Sequence, residues 1–133
     1  MAMRAAMIIS VLFVSCAAGH AMDCKDQTQM GLNQCAAVSY EKADEALNKA
    51  YKEVLLRLKD RGDAAGLLAK AQKSWLAFRD SECAFSSSGV SGGSIYPMIH
   101  AICLETLTRE RTKQLRNYLH CEEGDLSCPV PAR

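Results

Sequence analysis

Nowhere in this chain do apolar and polar residues alternate at the two-residue period of a half-buried strand, and that absence excludes a sheet-based domain. Charge of one sign is missing as well. Sixteen Lys and Arg stand against 15 Asp and Glu, with no basic face or arm, which excludes a nucleic-acid-binding protein. The same balance gives no long-range steering towards a strongly charged partner. Long apolar runs are absent beyond the first residues. Ala5 to Val14 is too short to span a bilayer. There is no Cys-x-x-Cys redox motif, nucleophile elbow or phosphate-binding glycine loop. No pair of carboxylates stands apart from the ordinary Glu and Asp of helix surfaces. These absences read as a protein that is not an enzyme and carries no cofactor.

What is present begins with an export signal. Met1-Ala2-Met3-Arg4 is a basic n-region and Ala5 to Val14 the apolar core. Gly19-His20-Ala21 places a cleavage site after Ala21, so residues 1–21 form a signal peptide. Loss of Arg4 makes the positive and negative counts equal. Phe13-Val14-Ser15-Cys16 also resembles a lipobox, and that alternative would anchor a lipoprotein at Cys16. Either cut leaves six cysteines in a periplasmic or secreted chain, an even set that reads as three disulfides.

Residues 22–133 are short enough to form one domain, whose modest core disulfides would supplement. Leu32, Ala36, Tyr40, Ala43, Leu47, Tyr51, Val54 and Leu58 recur at three- and four-residue steps, the stripe of a long first helix with Thr28 as its N-cap. Asp60-Arg61-Gly62-Asp63 is expected to stop the helix and turn the chain, with Gly62 able to take a positive φ. A second helix is expected from Ala64 to Phe85, burying Leu67, Leu68, Ala71, Trp75, Phe78 and Cys83. Residues 86–94 are serine and glycine with a single valine, and read as an exposed loop. A third helix starts near Pro97, with Ile99, Ile102, Cys103, Thr106, Leu107, Leu115, Tyr118 and Leu119 inward. From about Cys121 the tail should be irregular. The fold class is thus all-α: a small disulfide-stapled bundle of three helices, up-down-up, with a long first helix.

Six cysteines allow fifteen connectivities. Local pairing is the simplest, giving Cys24–Cys35, Cys83–Cys103 and Cys121–Cys128, each contributing about 2–4 kcal/mol if unstrained. His100 and Cys103, and His120 beside Cys121, have the residue types of a zinc site, but a bridged sulfur is no thiolate ligand, so no metal is expected.

Several segments then resemble one family in order. They are Thr28-Gln29, Asn33-x-Cys35-Ala36 and Tyr40-x-x-Ala43-Asp44-x-x-Leu47-Asn48-x-x-Tyr51. They continue with Ala71-Gln72-x-x-Trp75-x-x-Phe78-Arg79-Asp80-x-x-Cys83, Gly92-Gly93-Ser94-Ile95 and Cys103-x-x-x-x-Thr108-x-x-Arg111-x-x-x-Leu115. The likeness is to the lysozyme inhibitor LprI family, from about Cys24 to Leu119. It implies an exported all-helical protein and, from the family's namesake, a partner such as lysozyme. One departure is Gly31, where the family usually carries an acid. With Thr28 as N-cap that acid would complete a capping box, so a weaker helix start is expected.

Trp75 and Phe78, with Arg79 and Asp80 beside them, read as a structural core motif whose ion pair reaches Asp44 or Glu82. Arg109, Glu110, Arg111 and Lys113 read as a solvated face. Loop 86–96 most invites a function. Ser91, Gly92, Gly93, Ser94 and Tyr96 form a narrow, hydroxyl-rich segment tied at both ends, suited to a cleft lined by carboxylates. Two functions follow: an inhibitor of lysozyme-type glycosidases acting through that loop, or a periplasmic structural or adaptor module binding an envelope protein or cell-wall component.

Overall fold

A computed structural model describes residues 24–132. The expected signal peptide of residues 1–21 and the alternative lipid site at Cys16 lie outside them. Helix α1 runs Gln29–Arg57, α2 Gly62–Ser86 and α3 Tyr96–Tyr118, with a single turn of 3-10 helix at Ser88–Val90. The described residues contain no strand. None of their helices is long and apolar enough to cross a membrane.

Hydrogen bonds between helices set the topology. From α1, Asn33 donates to the Ser94 carbonyl, Ser39 to Glu105 and Arg57 to the Leu119 carbonyl, so α1 and α3 rise in step and are parallel. Arg79 of α2 reaches Asp44 while Gln72 meets Arg111, so α2 runs the other way. α1 and α3 form the main helix pair, and α2 packs chiefly on α3. The core is Leu47, Ala50, Val54, Leu58, Leu115 and Val130, with Leu68, Trp75 and Tyr118 packed against it. All three disulfides take the local pairing: Cys24–Cys35, Cys83–Cys103 and Cys121–Cys128.

Three sequence expectations need correction. Gly62 does not turn the chain; it is the first residue of α2, and the turn is Leu58–Arg61, closed by Arg61 N–H donating to the Leu58 carbonyl at 2.8 Å. Positive φ among the described residues occurs at Gly92 and Gly124. The buried face of α2 is narrower than its apolar pattern. Leu67 is 70% exposed and Phe78 54%, and Ala71 faces solvent. α2 touches the α1–α3 pair along one side only, so half its apolar arc has nothing to pack on. Ile102 and Thr106, both expected on the inner side of α3, are exposed for the same kind of reason.

The start of α1 is better held than Gly31 implies. Thr28 Oγ1 accepts from Gly31 N–H at 3.1 Å, as an N-cap should. The other half of a capping box, an acid accepting the cap residue's own N–H, comes from upstream: Asp26 Oδ1 accepts from Thr28 N–H at 2.9 Å. A Cβ on Gly31 would collide with the Asp26 side chain. The missing acid and the glycine are therefore one device, in which the carboxylate arrives from the preceding strand of chain and needs the vacant space.

Candidate functional site

Arg79 organises the bundle beneath the candidate loop. It is only 6% exposed. Its guanidinium meets Asp44 of α1 at 3.3 Å, Asp80 of α2 at 2.8 Å and Thr108 Oγ1 of α3 at 3.4 Å. Tyr40 and Trp75 lie against it, with ring centroids 5.5 and 5.4 Å away. Burial pushes the Tyr40 phenol up, while the Arg79 cation opposes that shift. The expected motif of Trp75, Phe78, Arg79 and Asp80 thus divides: Trp75 and Arg79 turn inward, Phe78 outward, and Asp80 sits at the surface as a counter-ion.

Above this, loop 86–96 is a chain of short turns. Val90 N–H donates to Ser87, Ser91 to Ser88, Gly93 to Val90 and Tyr96 to Gly93, all at 3.0–3.1 Å. Gly92 has φ of 77°, a left-handed conformation that lets the chain reverse without a side-chain clash. Four ties hold the loop. Cys83–Cys103 joins the helices that flank it. Ser87, 1% exposed, donates its hydroxyl to the Cys83 carbonyl at 2.5 Å. His100 Nδ1 lies 3.2 Å from both the Ser87 hydroxyl and the Cys83 carbonyl. Asn33 of α1 donates to the Ser94 carbonyl at 3.0 Å. Tyr96 is half-buried and stacks on His100 at 5.4 Å.

Of the predicted site residues, Ser91, Gly92, Gly93 and Ser94 therefore share one exposed turn, while Tyr96 belongs to its base. Among the described residues the hydroxyls of Ser91 and Ser94 have no hydrogen-bond partner, so both are open to a ligand. Two exposed apolar residues that sequence reasoning missed flank the loop in the chain: Phe85, 75% exposed, at the end of α2, and Ile95 just before α3. Phe85 lies at the end of an apolar arc, and periodicity alone does not say that the arc outruns its partner.

The absence of a nucleophile elbow needs one correction at the level of letters: Gly89-Val90-Ser91-Gly92-Gly93 has the pattern, but that chemistry needs a strand before the serine and a base beside it. Here a 3-10 turn precedes Ser91, and His100 is engaged with Ser87. Ser87, the hydroxyl that does meet an imidazole, is buried and donates to a carbonyl. The sulfurs of Cys103 and Cys121 are bridged, so neither is a thiolate. The arrangement presents hydroxyls on a turn stitched by backbone hydrogen bonds.

Residues 21–115 match the family model described as lysozyme inhibitor LprI. A Rhizobium meliloti (strain 1021) protein named "Uncharacterized protein R02472" is 38% identical over 114 residues, covering 77% of this chain and 82% of that one. The crystal structure of a DUF1311 family protein from Pseudomonas putida, the same family, superposes with a TM-score of 0.59 at 31% identity, covering 69% of this chain and 91% of that one.

Proposed function

The chain belongs to the lysozyme inhibitor LprI family, and on that premise we propose that it is an exported inhibitor of lysozyme-type glycosidases that offers loop 86–96 to the enzyme's cleft. The observation that carries this reading is the tethering. Ties at Cys83 on one side and at Ser94 on the other hold a turn whose Ser91 and Ser94 hydroxyls stay exposed. A pre-ordered loop loses less entropy on binding than a free one. Glycosidase clefts of this kind carry two carboxyl groups flanking the scissile bond, and serine hydroxyls donate to carboxylates. Gly92 and Gly93 keep the turn narrow enough to approach a cleft wall, and Phe85 supplies an apolar anchor beside it. Inhibition works by occupancy and asks no chemistry of the inhibitor. Export to the periplasm or beyond, supported by the signal-like N-terminus and three disulfides, puts the protein where such enzymes act.

The test is a cell-wall lysis assay with purified mature protein against lysozymes of several classes. Wild type should inhibit at least one. Ser91→Ala with Ser94→Ala should weaken inhibition by about tenfold or more, since each hydroxyl–carboxylate bond contributes about 1.5–3 kcal/mol. Gly92→Val, strained at positive φ, should weaken it too. Arg109→Ala, which removes an exposed pair with Glu105, is the control. Loop variants that inhibit as well as wild type would place the site elsewhere.

A second reading has its own observation. Leu67, Phe78 and Phe85 are all exposed along α2, an apolar face that suits an adaptor docking an envelope protein. It takes over if no lysozyme class is inhibited.

A further inference from the structure

A groove lies between α2, the C-terminal ends of α1 and α3, and the tail, near the end of the bundle remote from loop 86–96. It encloses about 300 Å³ and is walled by Val54, Leu58, Leu68, Ala71, Tyr118 and Val130. The tail can form a wall because it is pinned. Cys121–Cys128 folds it back, and the Arg57 and Arg61 guanidiniums donate to the carbonyls of Pro131 and Pro129 at 3.1 and 3.4 Å. Val130 is thereby seated in the core.

One cation lines this apolar groove, Arg111. Its guanidinium donates to Gln72 Oε1 and to Gln114 Oε1, each at 3.0 Å. Both acceptors are neutral amides, and Gln72 is buried. Among the described residues Arg111 meets no carboxylate, whereas Arg79 has two and Arg109 one. The amides orient the guanidinium without neutralising it. Beside apolar walls, its attraction for an anion is screened less than it would be in water.

We propose that this groove binds a single-chain amphiphile with an anionic head, the chain lying along α2 and the head on Arg111. The dimensions select that ligand. Ala64 and Ala71 mark the groove along α2, seven helical steps or about 10 Å of axis, the reach of a chain of roughly eight to ten carbons. A partner helix, about 10–12 Å across, is too thick for it. The volume stands at the lower end for small-molecule sites. The chain's own N-terminal segment joins α1 at its far end, about 43 Å of helix away. A carboxylate head and a phosphate head offer the same oxygen acceptors to a guanidinium, so a fatty acid and a single-chain phospholipid share the required chemistry.

The test uses the mature protein, its disulfides intact, titrated calorimetrically with decanoate, decyl phosphate and 1-decanol below their aggregation limits. Wild type should bind one decanoate or one decyl phosphate per chain, and whichever anion binds tighter identifies the head. Decanol should bind about tenfold or more weakly, for want of the charge-assisted bond. Arg111→Gln should bring both anions down to decanol's affinity. Ala71→Trp should block the groove to all three, and if that variant does not fold, the wild-type NMR shifts caused by decanoate must fall on Leu58, Leu68, Tyr118 and Val130. No saturable binding of either anion overturns the proposal. So does decanol binding as tightly as decanoate, an unchanged Arg111→Gln, or shifts confined to loop 86–96. Lysozyme inhibition is no part of this test, so the two readings stand or fall separately.

Discussion

Removing the Arg79 side chain should loosen all three helices at once. Its guanidinium bonds to Asp44, Asp80 and Thr108 and lies against two aromatic rings. Breaking a fully buried ion pair costs about 3–5 kcal/mol, because the partner charge is stranded. Asp44 and Asp80 are both partly exposed, so here they rehydrate, and that figure is an upper bound. The two ring contacts contribute about 0.5–1 kcal/mol each at such a site. The lost stem leaves a gap between α2 and the main pair. Arg79→Ala should therefore cost about 2–4 kcal/mol, which for a domain of this length lowers the melting midpoint by about 8–16 °C. Arg79→Lys keeps the charge but loses the planar fork and the stacking, and should recover only part. Thermal melts followed by far-UV circular dichroism measure this with disulfides intact. A second readout is electrostatic. Since the Arg79 cation opposes the upward shift of the Tyr40 phenol, Arg79→Ala should raise that pKa further. A midpoint within about 2 °C of wild type would refute the organising role assigned to Arg79, because no buried cation with such partners is that cheap to delete.

Three other outcomes are expected. Trp75→Ala, at a half-buried ring packed on the core and on Arg79, should cost about 2–4 kcal/mol in the same melts, somewhat below a fully buried aromatic; an unshifted melt would move Trp75 from core to surface. Unreduced, denatured mature protein should show no free thiol, and replacing Cys83 and Cys103 together by serine should cost about 3 kcal/mol by releasing a loop of this length, with inhibition falling more than stability if the tether serves binding. The Thr28 hydroxyl, then its backbone N–H, holds the Asp26 carboxyl below its ordinary value, so this group stabilises the start of α1 above the unfolded carboxylate pKa and loses that contribution as pH falls through the lower folded value. The protection of the Gly31 and Leu32 amides against exchange, relative to their intrinsic rates at each pH, should accordingly fall in acid, and Asp26→Ala should lower it already at neutral pH.

Much of this molecule is written in local pattern. Apolar residues at three- and four-residue steps from Leu32 to Leu58 can be satisfied only by a helix with one buried stripe, so α1 was legible from spacing. The serine and glycine of 86–94 cannot hold a helix of any length. Cysteines flanking that loop and bracketing the tail find their partners nearby, because short separations bring them together at small entropic cost. Tertiary structure decided which part of each pattern is used. The apolar arc of α2 is wide enough to name both Phe78 and Leu67 as core, but a helix packed along one side buries one edge of its arc, and here that edge carries the charged Arg79. Burial of an arginine depends on acceptors and rings brought from positions 40, 44 and 108, which no local rule relates to it. Ser87 meets His100, and Asp26 fills the space above Gly31, for the same reason. Periodicity reports how a residue relates to its own helix axis, whereas partners, pockets and exposed faces depend on distances between axes, and only the packed bundle sets those.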